Sequence, residues 1–378
     1  MKKKIALLGA TGSIGSTALN VIRNLKDDFR IVLLANNSNL KRLKELIEEF
    51  QPQSAFCLKH NFLYRNGKQV AFDENFIFNT ETFENIDIVI NGIDGMDGLK
   101  PSLAALKAGR ILATANKESF VSAGRFINLA KKKYGGKIVP VDSEHSSIWQ
   151  CIGNDMEDVE SIILTASGGA FRDWDKEKLR YAKAKDALKH PNWVMGKKVT
   201  IDCATLMNKG MEIIEAKYLF DTENIEVVRH DESIIHGMVR FKDNTVIAAL
   251  SVPDMSLPIQ YALTYPKRKN SYVNQLDLTK IKHLNFGEID EEKFPCFAIA
   301  KQVFKMNERA AAIMNASNEA AVNAYLGDQI GFYDIPKLIE YAIEKFYSNE
   351  NFHDIHEVYS IHNEVYEYTC KRIKRGEI

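Results

Sequence analysis

The 378-residue sequence predicts an α/β fold in three parts: an N-terminal parallel sheet with helices on both faces, a central α+β segment and a helical C-terminal segment. Three observations predict it. Short apolar runs alternate with amphipathic stretches over residues 1–140, a glycine-rich turn follows the first of those runs, and the end of the chain carries helical periodicity alone.

Composition agrees with a folded chain. It is 45% hydrophobic and 26% charged, with 50 Lys+Arg against 50 Asp+Glu, which excludes disordered, collagen-like and disulfide-scaffold classes. Zero net charge leaves no electrostatic footprint for nucleic acid or an anionic membrane. No run approaches the roughly 18 consecutive apolar residues that a bilayer span needs. Met1-Lys2-Lys3-Lys4 is basic like the start of a signal peptide, but the apolar run after it, 5–8, is too short for a signal core. The cysteines Cys57, Cys151, Cys203, Cys296 and Cys370 are odd in number and form no CxxC pair. They read as reduced thiols of a cytoplasmic protein.

In the first part, residues 1–141, strands are expected at 5–9, 31–35, 86–90, 111–115 and 137–141. Continuous apolar strands of this kind suit a sheet buried on both faces. Helices lie between them, as Leu40, Leu43, Leu46, Ile47 and Phe50 show by their 3.6-residue period. In the second part, 142–266, strands are expected at 162–166, 199–201, 238–241 and 246–250. Residues 267–292 are polar, with clustered charges, and read as a linker. Beyond it, 293–378 is expected to be helical: Ile335, Leu338, Ile339, Ile343 and Phe346 form one stripe, and the Ala-rich stretch 309–326 suits close packing.

Residues 9–15 read Gly-Ala-Thr-Gly-Ser-Ile-Gly. Glycines where a strand turns into a helix let the backbone approach a pyrophosphate, and the helix N-terminus attracts its charge. GxxGxxG is a relative of the dinucleotide fingerprint, and its place after the first strand makes the sheet Rossmann-like. At the end of the second strand an NAD site usually carries an acid for the ribose 2′-hydroxyl. Here the chain reads Asn36-Asn37-Ser38-Asn39, followed by Lys41 and Arg42, with no acid. That favours NADP, although a polar loop capping the next helix would read the same.

In an open parallel sheet, ligands bind outside the carboxyl ends of the strands. Those ends carry the glycine loop, residues 36–39, Asn91-Gly92-Ile93-Asp94, Asn116-Lys117-Glu118 and Asp142-Ser143-Glu144-His145. The reactive side chains of the first part are therefore expected at one edge. Asp142 and Glu144 could converge on a hard cation, for which oxygen ligands suit Mg²⁺ or Mn²⁺. Acids in a first helical turn are also favoured by the helix dipole, by about 0.3–1 kcal/mol each, so spacing alone leaves both readings open. His145 with Cys151 fits no common zinc spacing.

In the central part, the Ser167-Gly168-Gly169 turn can offer hydroxyl and amide donors to a phosphate. His190-Pro191-Asn192-Trp193-Val194-Met195-Gly196 cannot be a regular helix, and its indole is either a lid or a loop anchor. Asn208-Lys209-Gly210-Met211-Glu212 combines an amide, a cation and a third carboxylate; taken singly, each is as readily ordinary surface.

These stretches occur in order with Ala-Asn-Lys-Glu-Ser at 115–119, Ser-Ile-Ile-His-Gly-Met-Val at 233–239, Pro-Asp-Met at 253–255, Phe-Pro-Cys at 294–296 and Ala-Ser-Asn-Glu-Ala-Ala-Val at 316–322. Together they closely resemble the 1-deoxy-D-xylulose 5-phosphate reductoisomerase family of the non-mevalonate isoprenoid pathway, from residue 5 to beyond 340. The resemblance implies a central catalytic domain, NADPH, one divalent cation (Mg²⁺, Mn²⁺ or Co²⁺), a sugar phosphate substrate and a homodimer of V-shaped protomers. It implies metal ligation by Asp142, Glu144 and Glu212, with Lys117 and His190 also in the catalytic set. Substrate contacts would be Lys117, Ser143, Glu144, Ser167, His190, Cys203, Asn208, Lys209 and Glu212, with Trp193 on a mobile loop above. Thr11, Gly12, Ser13, Ile14, Asn116, Glu118 and Gly196 would contact the cofactor, whose 2′-phosphate end would face Asn37, Ser38 and Asn39.

Three positions depart from the family pattern. Cys203 stands where a serine is usual, and a thiol donates poorly to phosphate. Asn37-Ser38-Asn39 lacks the usual cation, leaving Ser38 and Arg42 to face a 2′-phosphate. Asn91-Gly92-Ile93-Asp94 is more polar than the usual stretch near the nicotinamide. Other readings have less behind them. Three Tyr-xxx-Lys matches (Tyr64/Lys68, Tyr181/Lys185, Tyr341/Lys345) lie away from the sheet edge that a short-chain dehydrogenase would use. A semialdehyde or acyl-phosphate reductase would need a nucleophilic cysteine with a histidine base. A non-catalytic NADP sensor would have no need of three acids and a phosphate-binding lysine.

Overall fold

The computed structural model describes residues 2–73, 75–153, 156–189, 193 and 195–378, and its chain divides into two compact units. The first comprises Met1–Ser119, Phe126–Ser146 and Asp254–Asn274; the second comprises Phe120–Arg125, Ser147–Pro253 and Gln275–Ile378.

The first unit begins with strand β1 (Lys3–Leu8), helix α1 (Ser13–Asn24), β2 (Phe29–Asn36), α2 (Leu40–Phe50), β3 (Ser54–Cys57), β4 (Phe62–Arg65) and β5 (Lys68–Val70). It continues with β6 (Ile88–Asn91), α3 (Leu99–Lys107), β7 (Ile111–Thr114), α4 (Lys117–Tyr134) and β8 (Lys137–Pro140). The strands form one eight-stranded sheet in the order β5-β4-β3-β2-β1-β6-β7-β8. From β3 to β8 every neighbouring pair is parallel; β4 and β5 are antiparallel additions at one edge. All five expected strands are present. Their side chains are the core: Ile5, Leu7, Leu8, Leu33, Leu34, Ile88, Val89 and Ile90 are almost wholly buried.

The sequence reading left out the β3–β5 additions. Its signal lay in Asn66-Gly67: Asn66 (φ 49°) and Gly67 (φ 88°) form the two-residue turn that pairs Arg65 with Lys68. Asn-Gly is the composition that such a turn requires.

The second unit takes up α5 (Ser143–Ile152) beyond Ser146, then β9 (Val159–Ala166), the short helices α6 (Lys176–Leu179) and α7 (Ala184–Ala187), α8 (Lys197–Ala204) and α9 (Met207–Phe220). Strands β10 (Ile225–Arg229), β11 (Ile235–Phe241) and β12 (Val246–Leu250) follow. They make a mixed sheet in the order β10-β9-β11-β12. Residues 199–201 are helical within α8, not a strand. Both the backbone N–H and the hydroxyl of Thr200 donate to the Gly196 carbonyl, and Ile201 and Ala204 bury on one face. Packing overrides the strand preference of Val-Thr-Ile.

Helix α10 (Ser256–Thr264) belongs to the first unit, where it packs on α1, β7 and β8. The polar stretch 267–292 is mostly irregular, and the division between the units falls within it. The C-terminal helices are α11 (Pro295–Phe304), α12 (Glu308–Leu326), α13 (Asp334–Phe346) and α14 (Ile355–Arg375). The Ala-rich α12 is buried along almost its whole length between α13 and α14. On α13 the expected stripe faces inward: Ile335, Leu338 and Ile339 are buried. Arg125 makes a two-pronged pair with Glu308 of α12, at 2.7–3.0 Å, and also donates to the Phe352 carbonyl. Among the described residues no helix is long and apolar enough to cross a membrane.

Ile339 is 0% exposed on α13, a helix that packs on α11, α12 and α14. Ile339→Ala is expected to lower the urea stability of the second unit by about 2–5 kcal/mol, the range for a buried aliphatic truncated to a cavity. A loss under about 0.5 kcal/mol would show that the helices close over the gap.

Candidate functional site

In the first unit the expected strand ends do assemble at one edge of the sheet. Gly9 leaves β1 at φ 78°, and its N–H and that of Ala10 both donate to the Ala35 carbonyl at 2.9 Å. A Cβ on Gly9 would stand 2.4 Å from the Gly92 carbonyl oxygen, just after β6, and one on Gly15 would meet the Gly9 oxygen at 2.2 Å. No side chain fits at either position. Gly12 is the extended residue that starts α1, so Gly12 and Ser13 lie exposed at its N-terminus with Thr11 and Ile14 half-exposed beside them. Thr11 accepts a hydrogen bond from Asn36 at 3.2 Å. That is the environment in which backbone donors receive a pyrophosphate.

Residues 37–39 are exposed beyond β2. Asn39 caps α2 by accepting from the Arg42 N–H at 3.1 Å, and Arg42 pairs with Glu45 at 2.7 Å. Asn91 and Asn116 were expected to matter at the nicotinamide end, and both amides are turned inward. Asn91 donates to the Gly98 carbonyl (2.9 Å) and Ser102 (2.7 Å). Asn116 donates to the carbonyls of Ile93 and Gly95, both at 2.8 Å, and accepts from Ser119. The extra polarity at Asn91 is therefore satisfied within its own loop, and Asn116 shapes the 93–95 turn. Glu118 is buried in the first turn of α4, where the helix dipole favours an acid.

Lys117 opens α4 after β7, and Asp142 follows the adjacent strand β8. Their side chains meet at 2.6 Å and are nearly buried, 8% and 11% exposed. Low exposure makes this pair matter: a buried charge is tolerated only with a partner. Asp142 also caps the turn after it, accepting from the Glu144 N–H at 3.3 Å, while Ser143 donates to the Glu144 carboxylate. His145 Nδ1 lies 3.7 Å from Asp142. Two carboxylates thus share one turn, with a lysine ammonium already beside one of them.

The second unit carries the remaining expected residues. Gly168 (φ 81°) and Gly169 (φ 68°) turn the chain sharply after β9, with the Gly169 N–H donating to the Ser167 hydroxyl at 3.3 Å. A Cβ on Gly169 would lie 2.3 Å from the Cys203 carbonyl oxygen, so the Ser-Gly-Gly turn rests on the end of α8. Cys203 itself is half-buried. Leu206 adopts φ 58°, a strained value for a side chain with Cβ, between α8 and α9. That turn starts α9, on whose first turns Asn208 and Lys209 both donate to the Glu212 carboxylate. All three are buried, Glu212 to 1% and Lys209 to 4%.

Trp193 and Gly196 are described; His190, with Pro191, Asn192 and Val194, lies outside the described residues. Gly196 is exposed at the start of α8. The Trp193 ring packs edge-on against His236 of β11, centroids 5.7 Å apart. His236 stands in the 233–239 motif, but a single histidine after an apolar run gives no sign of which aromatic it will meet. Burial holds it down to about 4, against hydrogen bonding at Ser251, with the Lys209 charge adding to the depression. It is neutral at physiological pH.

Comparison with known proteins gives one consistent result. A model of 1-deoxy-D-xylulose 5-phosphate reductoisomerase matches residues 5–124, a model of that enzyme's C-terminal domain matches 138–220, and a further DXP reductoisomerase C-terminal domain model matches 250–368. The chain is 42% identical to the 1-deoxy-D-xylulose 5-phosphate reductoisomerase of Geobacillus sp. (strain WCH70), across 94% of this chain and 97% of that one. It is 44% identical to the protein of that name from Clostridium tetani, across 92% and 94%. A crystal structure of DOX-P reductoisomerase in complex with NADPH, fosmidomycin and magnesium superposes with a TM-score of 0.92 at 34% identity, covering 98% of each chain. The Zymomonas mobilis enzyme in complex with NADPH gives 0.88 at 34% identity, covering 99% of each.

A histidine held neutral by burial stabilises the fold fully above its unfolded value near 6.5, and that stability is lost as pH falls from there toward 4. At pH 5 the loss from His236 is expected to be roughly 2 kcal/mol. Urea curves for wild type and His236→Gln should therefore converge by that amount between pH 7 and 5. Curves that stay parallel would show that His236 protonates without cost in the folded protein.

Proposed function

This chain belongs to the 1-deoxy-D-xylulose 5-phosphate reductoisomerase family, and from that premise we propose how its residues do the family's work. The protein rearranges and reduces 1-deoxy-D-xylulose 5-phosphate to 2-C-methyl-D-erythritol 4-phosphate, using NADPH and one divalent cation, in the non-mevalonate pathway of isoprenoid biosynthesis. The observation that carries the reading is the turn 142–144, two carboxylates with Lys117 at the carboxyl edge of a parallel sheet that also holds a glycine loop.

The donor chemistry fits the implied cation. Asp142 and Glu144 offer only oxygen, as a hard dication prefers, and Lys117 shows that the site favours positive charge. We assign Glu212 as the third ligand; with Lys209 on its carboxylate it has the same character. Three carboxylates outweigh the charge of a dication by one and still leave positions open for substrate oxygens. When bound, the cation acts as a Lewis acid on those oxygens, and NADPH supplies the hydride that completes the reduction.

The remaining work falls to the chain itself. Breaking and remaking a carbon–carbon bond develops negative charge on adjacent oxygens, which the Lys117 ammonium at this edge would answer. Ser143 donates beside the same carboxylates. Ser167, Cys203, Asn208 and Lys209 hold the substrate phosphate, with His190 and Trp193 closing over it. Binding energy from that remote phosphate orders the Trp193 loop and keeps water out. The glycine loop, Thr11 to Ile14, receives the NADPH pyrophosphate, while Asn116, Glu118 and Gly196 shape the nicotinamide end and residues 37–39 the adenosine end. In this division residues 1–141 bind cofactor, 142–266 bind metal and substrate, 267–292 connect, and 293–378 support.

We also propose a homodimer in the cytoplasm. The edge strand β12 exposes Val246, Ile247 and Leu250, a surface that a second copy would cover. Among the described residues no disulfide joins any of the five cysteines, in keeping with a reducing compartment.

The direct test is the loss of NADPH absorbance with chelator-treated protein and 1-deoxy-D-xylulose 5-phosphate, before and after adding Mg²⁺ or Mn²⁺. Oxidation is expected only with metal; none with any metal, from protein that binds NADPH, would sink the reading. Glu212→Gln is expected to cut the metal-dependent rate by a factor on the order of 10³ while NADPH binding is kept. An unchanged rate would remove Glu212 from the metal site.

A further inference from the structure

At the carboxyl end of β2 the chain reads Asn37-Ser38-Asn39. It has neither the carboxylate that accepts from a 2′-hydroxyl nor a cation to answer a 2′-phosphate. Arg42, in the first turn of α2, is already turned onto Glu45 at 2.7 Å.

Two basic residues reach the same place from the next strand. β3 runs parallel to β2 with Cys57 opposite Asn36, so the turn Leu58–His60 leaves the sheet at the same edge as residues 37–39. Two bonds fasten it there. The Lys59 N–H donates to the Asn37 carbonyl at 2.8 Å, and His60 Nε2 lies 2.9 Å from the Ser38 carbonyl oxygen. A carbonyl only accepts, so that ring nitrogen carries the proton. Both bonds are made to backbone carbonyls of the 37–38 loop, which leaves the exposed Ser38 hydroxyl facing solvent beside the turn.

Lys59 is exposed, and its ammonium makes no ion pair among the described residues. Residues 36–42 and 57–63 contain no Asp or Glu, while Lys41, Arg42, Lys59 and His60 are basic. The two segments that meet there therefore carry positive charge only. In a nucleotide-binding sheet this is where the adenosine ribose of the dinucleotide lies.

We infer that the Leu58–His60 turn is the element that recognises the 2′-phosphate of NADPH, in place of a cation on the β2 loop. Lys59 supplies the charge, and the Ser38 hydroxyl a hydrogen bond. His60 is a positioning residue that pins the turn to Ser38. This rests on the NADPH reading above and extends it to the choice between the two nicotinamide cofactors. A lysine is a compact, mobile charge, so it can follow a phosphate that the backbone does not itself cradle.

Dissociation constants measured without turnover test this, by ligand fluorescence for NADPH and NADH and by displacement of NADPH for adenosine 2′,5′-bisphosphate. Lys59→Ala is expected to weaken NADPH and the bisphosphate about tenfold and to leave NADH within about twofold, a difference of about 1.4 kcal/mol. His60→Gln, which can still donate to Ser38, should weaken NADPH less than His60→Ala does. Equal weakening of NADPH and NADH by Lys59→Ala would make the turn merely structural and overturn the inference. So would an unchanged NADPH affinity in Lys59→Ala alongside a large loss in Arg42→Ala. Wild-type protein that binds NADH as tightly as NADPH would also overturn it while leaving dinucleotide binding intact, and wild-type protein that binds neither would instead remove the NADPH reading.

Discussion

A buried carboxylate needs its charge balanced, and among the described residues both units do this with lysines, Asp202 beside Lys198 in the second unit being one case. Asp142 is held against Lys117 in the first unit, and Glu212 against Lys209 in the second. Without its partner, each acid would carry a desolvation cost of several kcal/mol or would take up a proton. The surrounding chain is arranged to make the pairs possible. Parallel β7 and β8 bring Lys117 and Asp142 to the same edge, and the strained turn at Leu206 starts α9 so that Asn208, Lys209 and Glu212 share one face.

Such pairs have a chemical consequence as well as a structural one. A lysine beside a carboxylate in a dry site balances its charge while leaving its oxygens within reach of other partners. Site polarity that has no such task is quenched inside the fold instead. Asn91 and Asn116 spend their amides on the carbonyls of Gly98, Ile93 and Gly95, which fixes the loops that follow β6 and precede α4. Polar residues near a ligand edge are thus of two kinds, those that build the loops and those that face the ligand.

The glycine loop sets the other limit on the first unit. Gly9 and Gly15 are hemmed in by backbone at 2.4 Å and 2.2 Å, so β1, β6 and α1 can approach as they do only without side chains there. Close approach leaves Gly12 and Ser13 exposed at the helix start, with the Gly12 N–H turned back onto the Gly9 carbonyl at 2.9 Å. On the far side of the same edge, residues 37–38 are fixed by bonds to the turn after β3, which makes that corner of the edge a product of two strands.

By itself the sequence determined the alternation of strands and helices, the glycine loop and the gathering of reactive residues at strand ends. These depend on local period and on the rule that parallel strands present their carboxyl ends together, and ten motifs in order carried the family. It also contained the Asn66-Gly67 hairpin, legible from turn chemistry alone though absent from the strand expectations. Tertiary structure decided what local preference could not. It made 199–201 helical against its β-branched character, because Ile201 and Ala204 had a core to fill. It set His236 against Trp193, and Lys59 and His60 against residues 37–38 across about twenty positions of sequence. Contacts of that kind follow from which strands lie side by side, and strand order comes from the packing of the whole sheet, with no mark at either residue.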